Sequence, residues 1–134
     1  MIKLKSIATI LTLTILFSAT RTFAQSQMEI NQGAGSSYKQ AEQELNTIYQ
    51  QILKGYAADT VFISRLKAAE RLWIKFRDAE VEMKYPPNGS YGSAHSMCVS
   101  GYMEELTRVR INTLKIWVEG IEEGDMCSGS VKNK

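Results

Sequence analysis

Apolar residues recur every three or four positions in the middle of the chain, a spacing that predicts amphipathic helices. The first such segment covers residues 38–55, and the glycine at its end can stop a helix. The second begins near Asp59 or Thr60, and either side chain can cap a helix N-terminus. It must stop before Pro86, because proline lacks the backbone N–H and disfavours helix in the residue before it.

A third helix is predicted to start near Ser93 or Ser96 and to end at Gly120. No segment shows the strict alternation of apolar and polar residues that indicates a strand. Short connections between successive helices favour antiparallel neighbours. The predicted fold is therefore all-α, a small three-helix up-down-up bundle.

The first 24 residues have the pattern of a cleaved secretory signal. Lys3 and Lys5 precede an apolar run, and Thr22-Phe23-Ala24 fits the rule for cleavage before Gln25. The run is short for a membrane span, so we expect a periplasmic or secreted protein with no stable membrane anchor after cleavage. The predicted organisation is a signal peptide at 1–24, a flexible polar lead-in at 25–37, a helical domain at 38–119 and a polar C-terminal tail at 120–134.

Removing the predicted signal changes the charge of the protein. The signal holds three of the 16 basic residues and no acid, so 16 minus 3 leaves 13 basic residues against 14 acidic ones. The mature chain is then close to neutral and lacks the basic face that a nucleic acid requires. We expect no nucleic-acid partner.

Several charges fall within the apolar stripes of the second and third helices. Glu80 lies on the midline of a stripe, and Arg110 lies inside another, so a stable bundle should pair them. Arg77 is one turn before Glu80, and Asn46 is at the edge of the first stripe. We interpret the four as a structural polar cluster; the alternative is that Arg77 and Glu80 contact a partner through a groove. The stripe of the second helix contains Phe62, Leu66, Ala69, Trp73, Phe76 and Met83.

Three short motifs follow one another at characteristic spacing: Glu44-Leu45-Asn46 with Tyr49, then Trp73-Ile74-x-Phe76-Arg77-Asp78-Ala79-Glu80, then Cys98 followed by Leu106-Thr107-x-x-Arg110-x-x-x-Leu114. In these motifs the chain resembles the LprI-type family, the DUF1311 group of lysozyme-inhibitor-like proteins, across nearly all of residues 41–114. The resemblance implies a small exported helical domain that binds lysozyme.

The cysteines depart from the family pattern. Members commonly have a cysteine directly after the Arg-Asp-Ala-Glu run, where this chain has Val81, so Cys98 lacks the partner that the resemblance implies. Cys127 is the second cysteine, and oxidation is permitted outside the cell membrane. The tail can return to Cys98 if the third helix ends by Gly120. We therefore favour a Cys98–Cys127 disulfide, with free or intermolecular thiols as the alternative.

The sequence offers little chemistry for catalysis. It has one histidine, His95, and lacks a Gly-rich phosphate loop, a paired-histidine motif and a nucleophile elbow. His95, Met97 and Cys98, joined by Met126 and Cys127, would suit Cu(I), but a disulfide would consume both thiolates. We expect no enzyme activity, no cofactor and no metal site.

Two segments are candidates for partner contact. Tyr85, Asn88 and Tyr91 lie in a proline-containing loop, where rigid aromatic side chains lose little entropy on binding. Glu122 and Glu123, with neighbouring acids, can attract a basic partner. The alternatives are tyrosines that pack back on the bundle and acids that are merely solvated.

The function predicted from the resemblance is inhibition of lysozyme action on peptidoglycan. A loop or helix edge would block the glycan cleft of a basic lysozyme. The alternative is a structural or assembly factor of the cell envelope, whose partner is another envelope protein and which has no enzyme target.

Overall fold

Three long helices make up most of the described chain. The structure is a computed structural model that describes residues 2–87, 89–124 and 126–134, with side chains described from Gln25 onward. In chain order the elements are α1 (Ile2–Gly55), α2 (Thr60–Lys84), a short 3₁₀ helix (Gly92–Ala94) and α3 (His95–Glu119).

Side-chain contacts show that successive helices run antiparallel. Tyr56 at the end of α1 stacks on Phe62 at the start of α2, with ring centroids 4.3 Å apart. At the other end of this pair, Arg77 of α2 reaches Glu42 of α1. The α2 and α3 helices reverse in the same way about the loop that joins them. The prediction of an all-α bundle of three helices is confirmed.

The predicted stop and start signals act where expected. The Asp59 carboxylate accepts a hydrogen bond from the Phe62 N–H at 2.9 Å and caps α2. The α2 helix ends at Lys84, two residues before Pro86. Gly120 ends α3 with φ +73°, a conformation that glycine adopts without a steric penalty.

The α1 helix begins far earlier than predicted. Residues 25–37, expected to be a flexible lead-in, are helical and continuous with the segment that follows. The segment contains no proline, and each of its two glycines costs a helix only about 1 kcal/mol. Near its middle, the Asn31 side-chain amide donates to the Ser93 carbonyl at 3.2 Å. The predicted signal peptide lies outside the residues whose side chains are described, and its cleavage stays a prediction.

The core lies mainly between α1 and α3. Small residues such as Ala41 and Thr107 are fully buried there, which lets the two backbones approach closely. The Thr107 hydroxyl donates to the Met103 carbonyl one turn earlier, so burial leaves it satisfied. The other buried residues of the core are Leu45, Ile48, Ile52, Tyr56, Leu66, Ile111 and Leu114.

Only part of the predicted apolar stripe of α2 faces this core. Leu66 is buried and Trp73 packs against the core, but Phe76 and Met83 are exposed, as is Ala69. The side of α2 centred on Leu66 and Arg77 faces the bundle, which turns one edge of the stripe toward solvent. The stripe was therefore correctly assigned to a helix and wrongly assigned as a whole to the core.

The C-terminal tail folds back over one end of the bundle. Ile121 forms an isolated bridge with Asn133, and the Lys132 N–H donates to the Tyr56 hydroxyl at 3.1 Å. The Lys132 ammonium also reaches the Gly55 carbonyl. Among the residues described, no helix combines the length and apolar character needed to cross a membrane.

Candidate functional site

Arg77 joins α2 to α1 and is buried. Its guanidinium donates to Asp78 at 2.8 Å and 3.0 Å and to Glu42 of α1 at 3.4 Å. Glu42 also accepts a hydrogen bond from the Tyr38 hydroxyl at 2.5 Å. Burial of the Tyr38 hydroxyl raises its pKa above the ordinary value, and the hydrogen bond to Glu42 is a second, smaller cause in the same direction. Arg77 therefore does not share the Glu80 carboxylate as predicted, because it is directed toward α1.

Arg110 is paired with Glu70 and not with Glu80. Two guanidinium nitrogens of Arg110 donate to one Glu70 carboxylate oxygen at 2.8 Å and 3.0 Å, and both side chains are largely buried. Glu80 lies about 15 Å further along α2, at about 1.5 Å per residue. It accepts a hydrogen bond from the Tyr102 hydroxyl of α3 at 3.2 Å. The predicted four-residue cluster is thus wrong in its pairing.

Both arginines lie close to the ring system of Trp73. The guanidinium carbon of Arg77 lies 5.3 Å from the centre of the Trp73 ring system, and that of Arg110 lies 5.7 Å from it. Both distances fall in the range for attraction between a cation and an aromatic ring. Arg77 and Arg110 therefore meet in one layer, as predicted, but through an aromatic ring and with separate acids.

A groove of about 420 Å³ opens between α1 and α2. Asn46, predicted to be part of the polar cluster, is exposed on its wall. Its aromatic members are Tyr49 and Trp73, both half-buried. Glu70 and Arg77 in this groove already hold partners of opposite charge, an arrangement suited to holding the helices together. The complete lining is Glu42, Leu45, Asn46, Tyr49, Lys67, Glu70, Arg71, Trp73, Ile74 and Arg77.

The loop between α2 and α3 is built on an aromatic cluster. Tyr85 and Tyr91 meet edge to face with ring centroids 5.6 Å apart, and Tyr91 stacks on His95 at 4.9 Å. Tyr85 also meets Tyr102 edge to face at 6.2 Å. Both loop tyrosines are half-buried, so they pack back on the bundle and leave only part of each ring accessible. We call Tyr85, Tyr91, His95 and Tyr102 the aromatic platform.

The loop tip stands on this platform. Pro86, Pro87, Gly89 and Ser90 are exposed, and the Gly89 N–H donates to the Pro86 carbonyl at 2.9 Å, which closes a turn. A Cβ atom at Gly89 would overlap the Tyr91 ring, so the glycine is required for this packing. The described residues of the tip are therefore exposed, and Gly89 lies close against the Tyr91 ring. Asn88, predicted as a contact residue, lies outside the described residues.

The predicted acidic contact residues lie at the opposite end of the bundle. Glu122 and Glu123 are exposed just beyond α3, and Glu122 pairs with Lys134 at 3.0 Å. The 25 residues of α3 separate them from the loop tip, a distance of about 37 Å. The structure therefore does not bring the two predicted contact groups together. Asp125, another acid of this group, lies outside the described residues.

The prediction of a Cys98–Cys127 disulfide is wrong, because the structure contains no bond between these two cysteines. Cys98 is half-buried near the start of α3, at the loop end of the bundle. Hydrogen bonds from Lys132 to Tyr56 and Gly55 hold the tail at the other end. The same separation removes the geometry on which the Cu(I) alternative depended. Within the described residues, no group of three or more metal-binding side chains is found.

The family motifs occupy positions that differ in exposure. Leu45 and Thr107 are buried in the core, while Tyr49 and Trp73 are half-buried beside the groove. Asp78 is exposed and serves Arg77, and Phe76 is exposed without facing the core. The motifs therefore combine residues that hold the helices with residues on the surface.

Comparison with known families agrees with these motifs. The family model described as lysozyme inhibitor LprI matches residues 18–114. The chain belongs to the LprI family. A curated relative of this LprI protein, an uncharacterized protein of Rhizobium meliloti strain 1021, is 35% identical over 111 residues, which cover 74% of this chain and 78% of the relative.

A solved structure shows the same fold. It is the 1.85 Å crystal structure of a DUF1311 family protein from Pseudomonas putida KT2440, with a TM-score of 0.59 and 20% sequence identity. The match covers 65% of this LprI protein and 88% of that chain. At this identity the likeness supports the helical arrangement alone.

Sequence reasoning missed Glu42, Glu70 and Tyr102, the actual partners of the predicted charges. A simple signal was available for two of them. Reflecting the chain about Ser90, near the middle of the connection, places Arg110 opposite Glu70 and places Tyr102 within two residues of Glu80. Glu42 had no comparable signal, because its pairing depends on which side of α2 turns toward α1.

Proposed function

We propose that this LprI protein is an exported inhibitor that binds lysozyme and blocks its action on peptidoglycan. The observation that carries the proposal is the match of the lysozyme-inhibitor family model to residues 18–114. Export is supported by the predicted signal ahead of Gln25.

We further propose that the loop end of the bundle contacts the enzyme. An inhibitor that blocks a cleft needs a projection that keeps its shape when it enters, since ordering a flexible loop costs binding free energy. The tip at Pro86 and Pro87 fits this need because two proline rings restrict its backbone and the aromatic platform supports it. The half-exposed edges of Tyr85 and Tyr91 add amphipathic contact area.

The acidic tail is poorly placed to assist this contact. It lies about 37 Å from the tip along α3, whereas charges at physiological salt are screened over about 8 Å. We therefore expect inhibition to depend only weakly on ionic strength. A strong loss of inhibition in moderate salt would assign the contact to the tail instead.

The test is peptidoglycan turnover by several lysozyme classes with the exported protein added in excess. Gly89→Ala should weaken inhibition by about tenfold or more, because the added Cβ displaces the Tyr91 ring and loosens the tip. Gly101→Ala is the matched control, since Gly101 is exposed in α3 with no atom near its Cβ position. This control should inhibit normally and unfold at a slightly higher temperature.

The alternative function, an assembly factor of the cell envelope, predicts a different result. Turnover would then be unchanged with every lysozyme, for the natural protein and for both glycine variants. An inhibition that is equally strong in Gly89→Ala and Gly101→Ala would keep the function but remove the loop tip from the contact.

A further inference from the structure

One side of α2 carries a row of exposed apolar residues. Leu72, Phe76 and Met83 are 67%, 56% and 72% exposed. Their spacing of four and seven residues places them on one side of the helix, and Ala79, also exposed, completes the row. We call Leu72, Phe76, Ala79 and Met83 the outer row.

The outer row is distinct from the surfaces described above. It points roughly a quarter of a turn or more away from Leu66 and Arg77, at about 100° per residue, and so does not face the core. The groove between α1 and α2 is lined by Lys67, Arg71 and Ile74 on another side of the helix. Isolated exposed apolar residues are common, but a row along three turns marks an interaction surface.

We propose that the outer row is the interface of a homodimer, in which α2 of one copy packs antiparallel against α2 of a second copy. A two-fold axis between residues 77 and 78 places Leu72 opposite Met83 of the second copy. The same axis places Phe76 opposite Ala79 of the second copy. The large ring then meets a small side chain in both halves, as the self-complementary surface of a two-fold dimer requires.

Charges beside the row support a second copy as the occupant. Lys75 and Glu82 are exposed on the same flank of the row, two helical turns apart. Neither forms an ion pair with another residue in the described part of the chain. In the antiparallel arrangement Lys75 lies two residues, about 3 Å along the helix axis, from the level of Glu82 of the second copy. The two long side chains can span this offset, and the symmetry makes the pair twice.

The contact extends slightly onto α3. Val109 is 61% exposed and precedes Arg110, whose pairing with Glu70 sets it at the level of Leu72. Even so, about three turns of one helix from each copy form a small interface, below the size of a permanent dimer. We expect an association in the micromolar range.

The first test is sedimentation velocity of the exported protein across the micromolar range, without lysozyme. The natural protein should show a concentration-dependent dimer, and Leu72→Glu should raise the dissociation constant by more than about tenfold. Val118→Glu is the matched control, because Val118 is 44% exposed on α3 and lies outside the row. It should dimerise normally.

The second test separates the proposed orientation from general stickiness. Lys75→Glu and Glu82→Lys should each weaken dimerisation, because each homodimer then contains two repulsive pairs. An equimolar mixture of the two variants should dimerise again, since the heterodimer contains two attractive pairs. Both positions are exposed, so neither substitution should affect folding, and thermal melts verify this.

Three results would overturn the proposal: a protein that stays monomeric throughout, an unchanged dimer in Leu72→Glu, or a mixture no stronger than either charge variant alone. A monomer whose Leu72→Glu variant loses lysozyme inhibition would assign the row to lysozyme. Because dimerisation is measured without lysozyme, its failure is separable from failure of the proposed function.

Discussion

At the scale of single residues, Trp73 organises the charges in the middle of the bundle. Two arginines from different helices lie near its ring. Arg77 pairs with Asp78 and Glu42, and Arg110 pairs with Glu70. A buried arginine needs both a counter-charge and packing along its stem, and the indole ring supplies part of the second requirement. The residue types of this layer were readable from the sequence, whereas the pairing of Arg77 with Glu42 was not.

Removing either of two acids on α2 tests these pairs. Glu70→Ala should lower the free energy of unfolding by about 3 kcal/mol, because it leaves the largely buried Arg110 guanidinium without its partner. Glu80→Ala should cost only about 1 kcal/mol, the value of the hydrogen bond from Tyr102. Chemical denaturation measures both variants. A larger loss for Glu80→Ala would restore the pairing predicted from the sequence.

The raised pKa of Tyr38 predicts a pH dependence. Above pH about 10 the unfolded chain releases the phenolic proton, while the folded chain, where burial and Glu42 favour the neutral form, retains it. The stabilisation is therefore complete below pH about 10 and declines as the pH rises toward the folded pKa. Tyr38→Phe should lose about 1 kcal/mol at neutral pH and should approach the natural protein's stability in strong alkali.

The measurement is the free energy of unfolding of both proteins at a series of pH values above neutrality. Tyr49 and Tyr102 also have raised pKa values, chiefly through burial, so some decline should remain in Tyr38→Phe. Two parallel curves would show that the Tyr38 hydroxyl does not titrate differently in the folded protein.

At the scale of helices, local signals predicted the ends well. Asp59, Pro86 and Gly120 act through backbone geometry and hydrogen bonds within a few residues, so neighbouring sequence determines their effect. The predicted start of α1 was wrong because residues 25–37 are polar and lack apolar periodicity. This glycine-containing segment nevertheless contains nothing that stops a helix. Its helix is a continuation of the one that follows, which periodicity alone does not reveal.

Local sequence signals also did not determine which side of α2 faces the other two helices. Its apolar residues cover a wide arc, and the pattern does not say which part of the arc faces α1 and α3. Tertiary contacts of Leu66, Trp73 and Arg77 decide this, and they leave Phe76 and Met83 outside. The rotation of α2 about its own axis, together with the register that the loop sets between α2 and α3, determines which acids pair with Arg77 and Arg110.

Gly120 offers a test of how α3 ends. Gly120→Ala should lower stability by at least about 1 kcal/mol, because an L residue at positive φ is strained. Its Cβ would also lie 2.9 Å from the Lys132 carbonyl oxygen, so the tail must shift. Hydrogen exchange at the Lys132 amide should accelerate as its bond to Tyr56 is lost.

Gly55→Ala is the control for this change. Gly55 ends α1 without positive φ, and nothing lies within 4 Å of its Cβ position. The control should leave the exchange of the Lys132 amide unchanged. Equal acceleration in both variants would mean that the tail is not held through Gly120.

At the scale of the whole molecule, the two groups of predicted contact residues lie at opposite ends of the bundle. The loop tip and Cys98 lie at one end, while Cys127 and the acidic tail lie at the other. The sequence analysis paired Cys98 with Cys127 because the tail is long enough to return along α3. It did not show that the tail packs instead on the far end of the bundle. The outer row of α2 lies along the half of that helix nearer the loop.

Peptidoglycan turnover by lysozyme, titrated with the purified protein, tests the central claim most directly. We predict that turnover by at least one lysozyme class falls with increasing protein and that Gly89→Ala shifts this curve to about tenfold higher concentration. Gly101→Ala should follow the curve of the natural protein. Turnover that stays constant for every lysozyme class, at any excess of folded protein, would contradict the account.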